Sequence, residues 1–350
     1  MPEKHTSLPT LKLRAGLANP AAKKAFLEEL RETSRDLGFF YLADHGIPAE
    51  LISDVLSLTR KFFDLPEKDK LDIQMVNSPY FRGYNRAGLE HTRGKPDWRE
   101  QVDIGPEQTP FPREKQTETW QRLVGPNQWP KSLPELQPTI LKYQAAVTKL
   151  GIELTELLAE ALGQNHNVFS PVYTPEPNQL LKIIRYPGRS AGETNQGVGA
   201  HKDSGFVTIL LQDKVSGLQV EGSDGWIDAP PVPGTFIINI GELLELASGG
   251  YLRANVHRVV SPPSDKDRLS VAFFFGAHLS STIPVLTLPP ALQAQVRGVT
   301  QDPNNPLFRD VAKNYLKSRL RSHPDVALKH HADLLEPSQR EATKQVASAY

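Results

Sequence analysis

Phe206-Val207-Thr208-Ile209-Leu210-Leu211 opens a series of short apolar segments. It continues through Gly217-Leu218-Gln219-Val220, Trp226-Ile227-Asp228, Thr235-Phe236-Ile237-Ile238-Asn239-Ile240, His257-Arg258-Val259-Val260 and Leu269-Ser270-Val271-Ala272-Phe273-Phe274-Phe275. Each is rich in β-branched or aromatic residues and is bounded by Gly, Pro, Asp or Ser. An earlier segment, residues 180–186 (Leu-Leu-Lys-Ile-Ile-Arg-Tyr), has the same texture and ends at Pro187. Several short strands at such spacing predict a β-sandwich or barrel, and jelly rolls commonly house small-ligand sites.

Outward from this core the periodicity becomes helical. Ile140, Tyr143, Val147, Leu150, Leu154, Leu157, Leu158 and Ala161 predict one long amphipathic helix. Phe26, Leu27, Leu30 and Leu37, and then Leu51, Ile52, Val55, Leu56, Phe62 and Phe63, predict two more, with residues 38–42 (Gly-Phe-Phe-Tyr-Leu) as a buried strand between them. Residues 74–134 read as a long irregular segment containing Tyr80-Phe81-Arg82-Gly83-Tyr84, and a loop of that length is usually functional or floppy. A last helix carries Phe308, Val311, Ala312, Tyr315 and Leu316. The expected class is α+β in one composite catalytic unit. Residues 1–135 form a mixed, mainly helical region packing on the core, 136–290 the long helix and β core, and 291–350 a C-terminal helical region.

Charge and composition narrow the function. Forty basic and forty acidic residues cancel and no long basic run occurs, so the footprint of a nucleic-acid or anionic-membrane binder is missing. The absence of cysteine excludes disulfides, thiolate metal sites and cysteine nucleophiles. The longest apolar runs are too short to span a bilayer, and the polar start lacks a signal peptide's apolar stretch, so a cytoplasmic protein acting on a small molecule is expected. Nothing in the sequence sets an oligomeric state.

His201 and Asp203 stand two apart at the head of a β-like segment, where residues i and i+2 share a face. His257, 54 residues after Asp203, begins another such run. Two imidazoles and one carboxylate on one face of a metal leave positions open for dioxygen and a co-substrate, the facial-triad pattern of non-haem iron(II) oxygenases. Eleven residues past His257, Arg268 and Ser270 share a strand face and would grip a carboxylate, with Tyr186 as a further hydroxyl donor. The histidines at 5, 45, 91, 166, 278, 323, 330 and 331 lack such company and read as loop, capping or surface residues.

The stretches Gly199-Ala200-His201-Lys202-Asp203-Ser204-Gly205, Leu210-Leu211-Gln212-Asp213, Gly217-Leu218-Gln219-Val220, Asn239-Ile240-Gly241-Glu242, His257-Arg258-Val259 and Arg268-Leu269-Ser270 together strongly resemble the isopenicillin N synthase-like group of iron(II)/2-oxoglutarate-dependent dioxygenases. Residues 38–42 with His45-Gly46-Ile47 resemble that family's N-terminal region, and the likeness covers roughly residues 25 to 320. The resemblance implies a double-stranded β-helix (jelly-roll) core flanked by helices, iron on His201, Asp203 and His257, and 2-oxoglutarate held through Arg268, Ser270 and Tyr186. It implies oxidation of a small molecule by dioxygen (hydroxylation, desaturation or cyclisation), with succinate and CO2 as co-products. Two positions depart from the family pattern: Ile184 stands where plant members often carry Asn, and Ser204 where many relatives carry an aromatic residue. Isopenicillin N synthase itself uses no 2-oxoglutarate, so an oxidase of that type is the second reading, and a non-catalytic metal-binding sensor the third. Arg82, Tyr84, Ser204, Phe206, Phe273 and Phe275 are the candidates for the substrate pocket.

Overall fold

A computed structural model describes residues 7–190, 195–300, 302, 305–335 and 340. The β core is two sheets. The larger runs in the order β1 (Thr10–Lys12), β2 (Phe39–Ala43), β12 (Thr235–Ile240), β9 (Val207–Gln212), β14 (Arg268–Gly276), β7 (Asn178–Tyr186), β6 (Glu100–Ile104) and β3 (Gly83–Asn85). Among its described strand pairs, β1–β2 is parallel and the rest are antiparallel. The smaller sheet runs β11 (Gly225–Asp228), β10 (Leu218–Gly222), β13 (His257–Val260) and β8 (Gln196–His201), all antiparallel. A short hairpin, β4 (His91–Thr92) and β5 (Lys95–Pro96), stands apart from both.

Alternation along the strands decides what each face meets. On β14, Leu269, Val271, Phe273 and Phe275 join the apolar cluster that also holds Phe26 and Leu30 of α2 (Pro20–Asp36), Val55 and Phe62 of α3 (Ala49–Phe63), and Ile140, Val147 and Leu154 of α5 (Leu136–Ala161). Ala272 and Phe274 turn the other way, with Ile184, Tyr186 and Leu210, and pack toward Val198, Leu218, Val220 and Val259 of the smaller sheet. The larger sheet thus buries one face under helices and closes the other against its partner sheet, which is a jelly-roll sandwich with flanking helices.

Four shorter helices complete the order: α1 (Leu13–Gly16), α4 (Glu67–Leu71), α6 (Glu242–Ala247) and α7 (Pro290–Gln293). Toward the C-terminus α8 (Val311–Ser322) and α9 (Pro324–His330) follow, with the Asp310 side chain capping the start of α8. Phe308 lies before that helix and not on it.

The segment 74–134 is more ordered than its texture suggests. It supplies β3 and β6 to the larger sheet, and β6 pairs with β7 from Glu100–Arg185 to Ile104–Leu181. Its alternation escaped notice because the residues facing the partner sheet, Gln101 and Asp103, are polar, whereas Val102 and Ile104 face the helices.

Candidate functional site

His201 closes β8 and sits directly opposite His257 at the start of β13. Asp203 lies just past the strand, not within it. Each of the three is aimed by a bond to an atom that faces away from the other two. His201 Nδ1 lies 2.8 Å from the Gly199 carbonyl and His257 Nδ1 lies 3.3 Å from the Asn255 carbonyl, and a proton on each Nδ1 leaves both Nε2 atoms as acceptors. Asp203 Oδ2 accepts from Thr208 Oγ1 at 2.6 Å and Asn239 Nδ2 at 2.8 Å. Its other oxygen, Oδ1, lies 3.5 Å from His201 Nε2 and 3.7 Å from His257 Nε2. One ligand atom from each residue falls within 4.8 Å of the other two. Phe39 meets the His257 ring edge-on at 5.1 Å.

The electrostatics favour ligation. Burial alone would raise the Asp203 carboxyl, but the His257 and His201 imidazoles and the Thr208 hydroxyl outweigh it and hold the group below the usual carboxylate range. Burial and the neighbouring His201 hold His257 down at about 4, so its ring is neutral at physiological pH. Burial also lowers His201, but its bond to Asp203 wins and raises it above the ordinary value. Two neutral-capable imidazole nitrogens and one carboxylate oxygen converging on a point form a donor set that fits iron(II).

Across the sandwich, Arg268 and Ser270 share the inner face of β14, with Tyr186 opposite Arg268 on β7. Both Arg268 and Ser270 are 0% exposed. Arg268 Nη2 donates to Gln212 Oε1 at 2.8 Å and its guanidinium lies 4.8 Å from the Tyr186 ring centre. Arg268 Nε and Nη1 and Ser270 Oγ have no hydrogen-bond partner among the described residues. Tyr186 is hydrogen-bonded to Arg99, itself paired with Glu90 at 2.7 Å.

The chain matches a family model described as "2OG-Fe(II) oxygenase superfamily" over residues 177–277, and one described as "non-haem dioxygenase in morphine synthesis N-terminal" over residues 8–132. It is 39% identical over 342 residues to the 2-oxoglutarate-dependent dioxygenase frbJ of Dothideomycetidae sp. (strain 11243), covering 92% of this chain and 91% of that protein. The chain belongs to the 2OG-Fe(II) oxygenase superfamily. It is an iron(II)/2-oxoglutarate-dependent dioxygenase. The oxygenase is also 36% identical over 274 residues to homoarginine-6-hydroxylase 2-ODD-C23.2 of Arabidopsis thaliana, covering 78% of this chain and 75% of that one. Among solved structures it resembles a full-length Neurospora crassa protein in complex with alpha-KG and 5-formyluracil, with a TM-score of 0.72 at 25% identity, covering 91% and 97% of the two chains. Neither a 2-oxoglutarate-independent oxidase nor a metal-binding sensor is represented among these relatives.

The pocket candidates divide. Phe273 and Phe275 face the helices, and Phe274 between them faces the smaller sheet. Phe206 is fully buried against Phe169 and Tyr173, at 5.1 and 6.0 Å. Tyr84 packs on Phe62 on the helical side and donates to Glu100 Oε2 at 2.6 Å. Ser204 is half-buried just after Asp203. Arg82 is buried near α8, within hydrogen-bonding reach of Tyr315. Several histidines read as surface or loop residues are buried: His323 at 1% exposure and His331 at 2%, with His45 and His278 close behind, while His5 lies outside the described residues. Thr208, Asn239 and Gln212 were missed as supporting groups. Their signal was present, because each is a polar residue inside an otherwise apolar strand run.

Proposed function

We propose that His201, Asp203 and His257 hold the iron of this oxygenase and that Arg268, Ser270 and Tyr186 hold the far carboxylate of 2-oxoglutarate. The observation that carries the second assignment is a fully buried guanidinium with two uncommitted nitrogens, beside an uncommitted buried hydroxyl. A buried charge without a counter-charge costs several kcal/mol, on the order of 3–5 when a pair is broken. A ligand carboxylate at that point removes the cost. The metal assignment rests on three ligand atoms left free by the bonds that orient their groups.

Iron bound there supplies the dioxygen activation that couples decarboxylation of 2-oxoglutarate, yielding succinate and CO2, to oxidation of a small-molecule substrate. The protein's own residues set the geometry. Thr208 and Asn239 keep Asp203 turned with Oδ1 toward the imidazoles, and Gln212 holds Arg268 from the neighbouring strand β9. The apolar residues packed between the sheets exclude water, which strengthens the charged contacts beside them. The three chain segments work as one composite unit, a reading supported by the apolar cluster that runs from Leu11 to Val326. No helix among the described residues is long and apolar enough to cross a membrane. The lack of cysteine supports a cytoplasmic setting, and the balanced charge supports a free small molecule rather than a nucleic acid as substrate.

Anaerobic titration of the iron-loaded protein with 2-oxoglutarate tests the assignment. A visible charge-transfer absorption should grow in as 2-oxoglutarate binds, and Arg268→Gln should need roughly 10- to 100-fold more 2-oxoglutarate for the same signal. An Arg268→Gln titration that overlays the wild type sinks the carboxylate role.

A further inference from the structure

Arg82 is a second buried guanidinium without a counter-charge. It is 2% exposed and within hydrogen-bonding reach of Tyr315, its Nε and Nη1 have no hydrogen-bond partner among the described residues, and no described carboxylate is ion-paired with it. The acids nearby are already engaged. Asp103 accepts from Arg319 Nη1 at 2.7 Å, with Lys182 Nζ 3.6 Å away. Glu90 accepts from Lys182 at 2.9 Å and Arg99 at 2.7 Å. Between Arg82 and Arg319 stands Tyr315 of α8, whose hydroxyl accepts from Arg319 Nη2 at 3.1 Å. Burial alone would raise that hydroxyl, yet Arg319 and Arg82 outweigh it and draw it below its ordinary value. The charge left uncommitted among these described groups is positive.

The sheet places this corner relative to the metal centre. The last paired rung of β6 and β7 is Ile104–Leu181, so Gly105 follows one step on, beside Leu180. Leu180 pairs with Phe274, and Phe274 with Thr208, the residue that holds Asp203. A Cβ on Gly105 would lie 2.1 Å from Arg82 Nη2 and 2.3 Å from its Cζ, so the guanidinium occupies the space a side chain at 105 would take. Gly105, against which Arg82 packs, and Thr208, which holds Asp203, therefore stand at two ends of one row of residues, three strand spacings or ~14 Å apart, with Leu180 and Phe274 between them.

Resting on the iron assignment above, we propose that the substrate of this oxygenase carries a carboxylate that docks on Arg82, with an apolar body over Phe274 and Leu180 and its oxidised carbon at the metal centre. A lone guanidinium matches the single charge and planar shape of a carboxylate. Asp103 and Glu90 are both engaged, so neither is free to take a substrate cation. Arg82 is a specificity-determining residue in this scheme, and Tyr315 and Gly105 position it.

The test uses the chain loaded with manganese(II) and saturating 2-oxoglutarate, together with straight-chain and aryl-substituted carboxylic acids, each beside its primary amide. Melting temperature against probe concentration reports binding without turnover. Wild type should bind the best acid roughly 10- to 100-fold more tightly than its amide. Arg82→Gln should level the two, and Arg82→Lys should keep part of the preference. Gly105→Ala, whose methyl would collide with the guanidinium, should weaken the acid and leave the amide unchanged. Equal binding of acid and amide by wild type, no binding of any acid, or an acid preference that survives Arg82→Gln overturns the proposal. If manganese and 2-oxoglutarate fail to raise the melting temperature before any acid is added, the co-substrate reading falls instead, and the acid-versus-amide comparison on the metal-free protein still judges Arg82.

Discussion

Asn239 shows how much of the site depends on residues that never touch a reactant. It sits in the run Thr-Phe-Ile-Ile-Asn-Ile, and its amide and the Thr208 hydroxyl take the Asp203 oxygen that points away from the imidazoles. Replacing Asn239 with Ala should free the carboxylate to rotate and weaken metal binding by about 10- to 100-fold, as loss of such supporting bonds commonly does. A competition titration of manganese(II) or iron(II) against a chelator measures it, and an unchanged affinity would show that Thr208 alone suffices. At this scale the sequence was most informative where chemistry is scarce. Two histidines and an aspartate beside strands, then Arg268 and Ser270, could be singled out, and the fold brings the three metal-ligand candidates together and sets Arg268 and Ser270 on one strand face. Arg82 could be named but not placed, since its meaning depends on Gly105 and Tyr315, which are distant in sequence.

At the scale of the element, β14 carries the lesson. Its sequence Arg-Leu-Ser-Val-Ala-Phe-Phe-Phe-Gly is apolar on both faces from Val271 onward, so alternation alone could not say which phenylalanine faces the smaller sheet. Pairing with β7 and β9 settles it, with Phe273 under the helices and Phe274 on the inner face. The two neighbours should then respond oppositely to truncation. Phe273→Ala leaves a hole in a packed core and should cost about 3–5 kcal/mol, read as a lower urea midpoint. Phe274→Ala should cost clearly less stability but alter how substrate oxidation is coupled to succinate formation. Equal stability losses would contradict the facing. β6 failed to register in the sequence for a related reason: Gln101 and Asp103 are fully buried in a polar cluster with Lys182 and Arg319, so the usual reading of polar as solvent-facing is inverted there.

The whole molecule adds a dependence on pH through the charged cluster beneath α8. Burial, helped by the Arg319 and Lys182 charges and opposed by Glu90 and Asp103, holds His323 down at about 4. Its folded value lies below the unfolded one, so the unfolded chain takes up a proton first as pH falls from about 6.5 towards 4, and stability is lost over that window. The contribution is on the order of 3 kcal/mol. Urea midpoints at pH 7 and pH 5 should therefore differ, and His323→Gln should narrow the gap; a gap that persists unchanged would assign the acid sensitivity to other groups. None of this cluster was foreseen from sequence, because it gathers residues from β6, β7, α8 and the segment around Glu90, and such gathering is a property of the fold alone.

The groups proposed to hold the metal and the co-substrate stand on different sheets. His201 and His257 belong to the four-stranded sheet, and Arg268, Ser270 and Tyr186 to the eight-stranded one. A dicarboxylate that touches the metal at one end and Arg268 at the other would bridge the sandwich like a rivet. Ligand occupancy and closure of the two sheets then become a single equilibrium, and the free energy of one is expressed in the other. In such an arrangement the co-substrate is, for as long as it stays, a temporary part of the wall that shelters its own consumption.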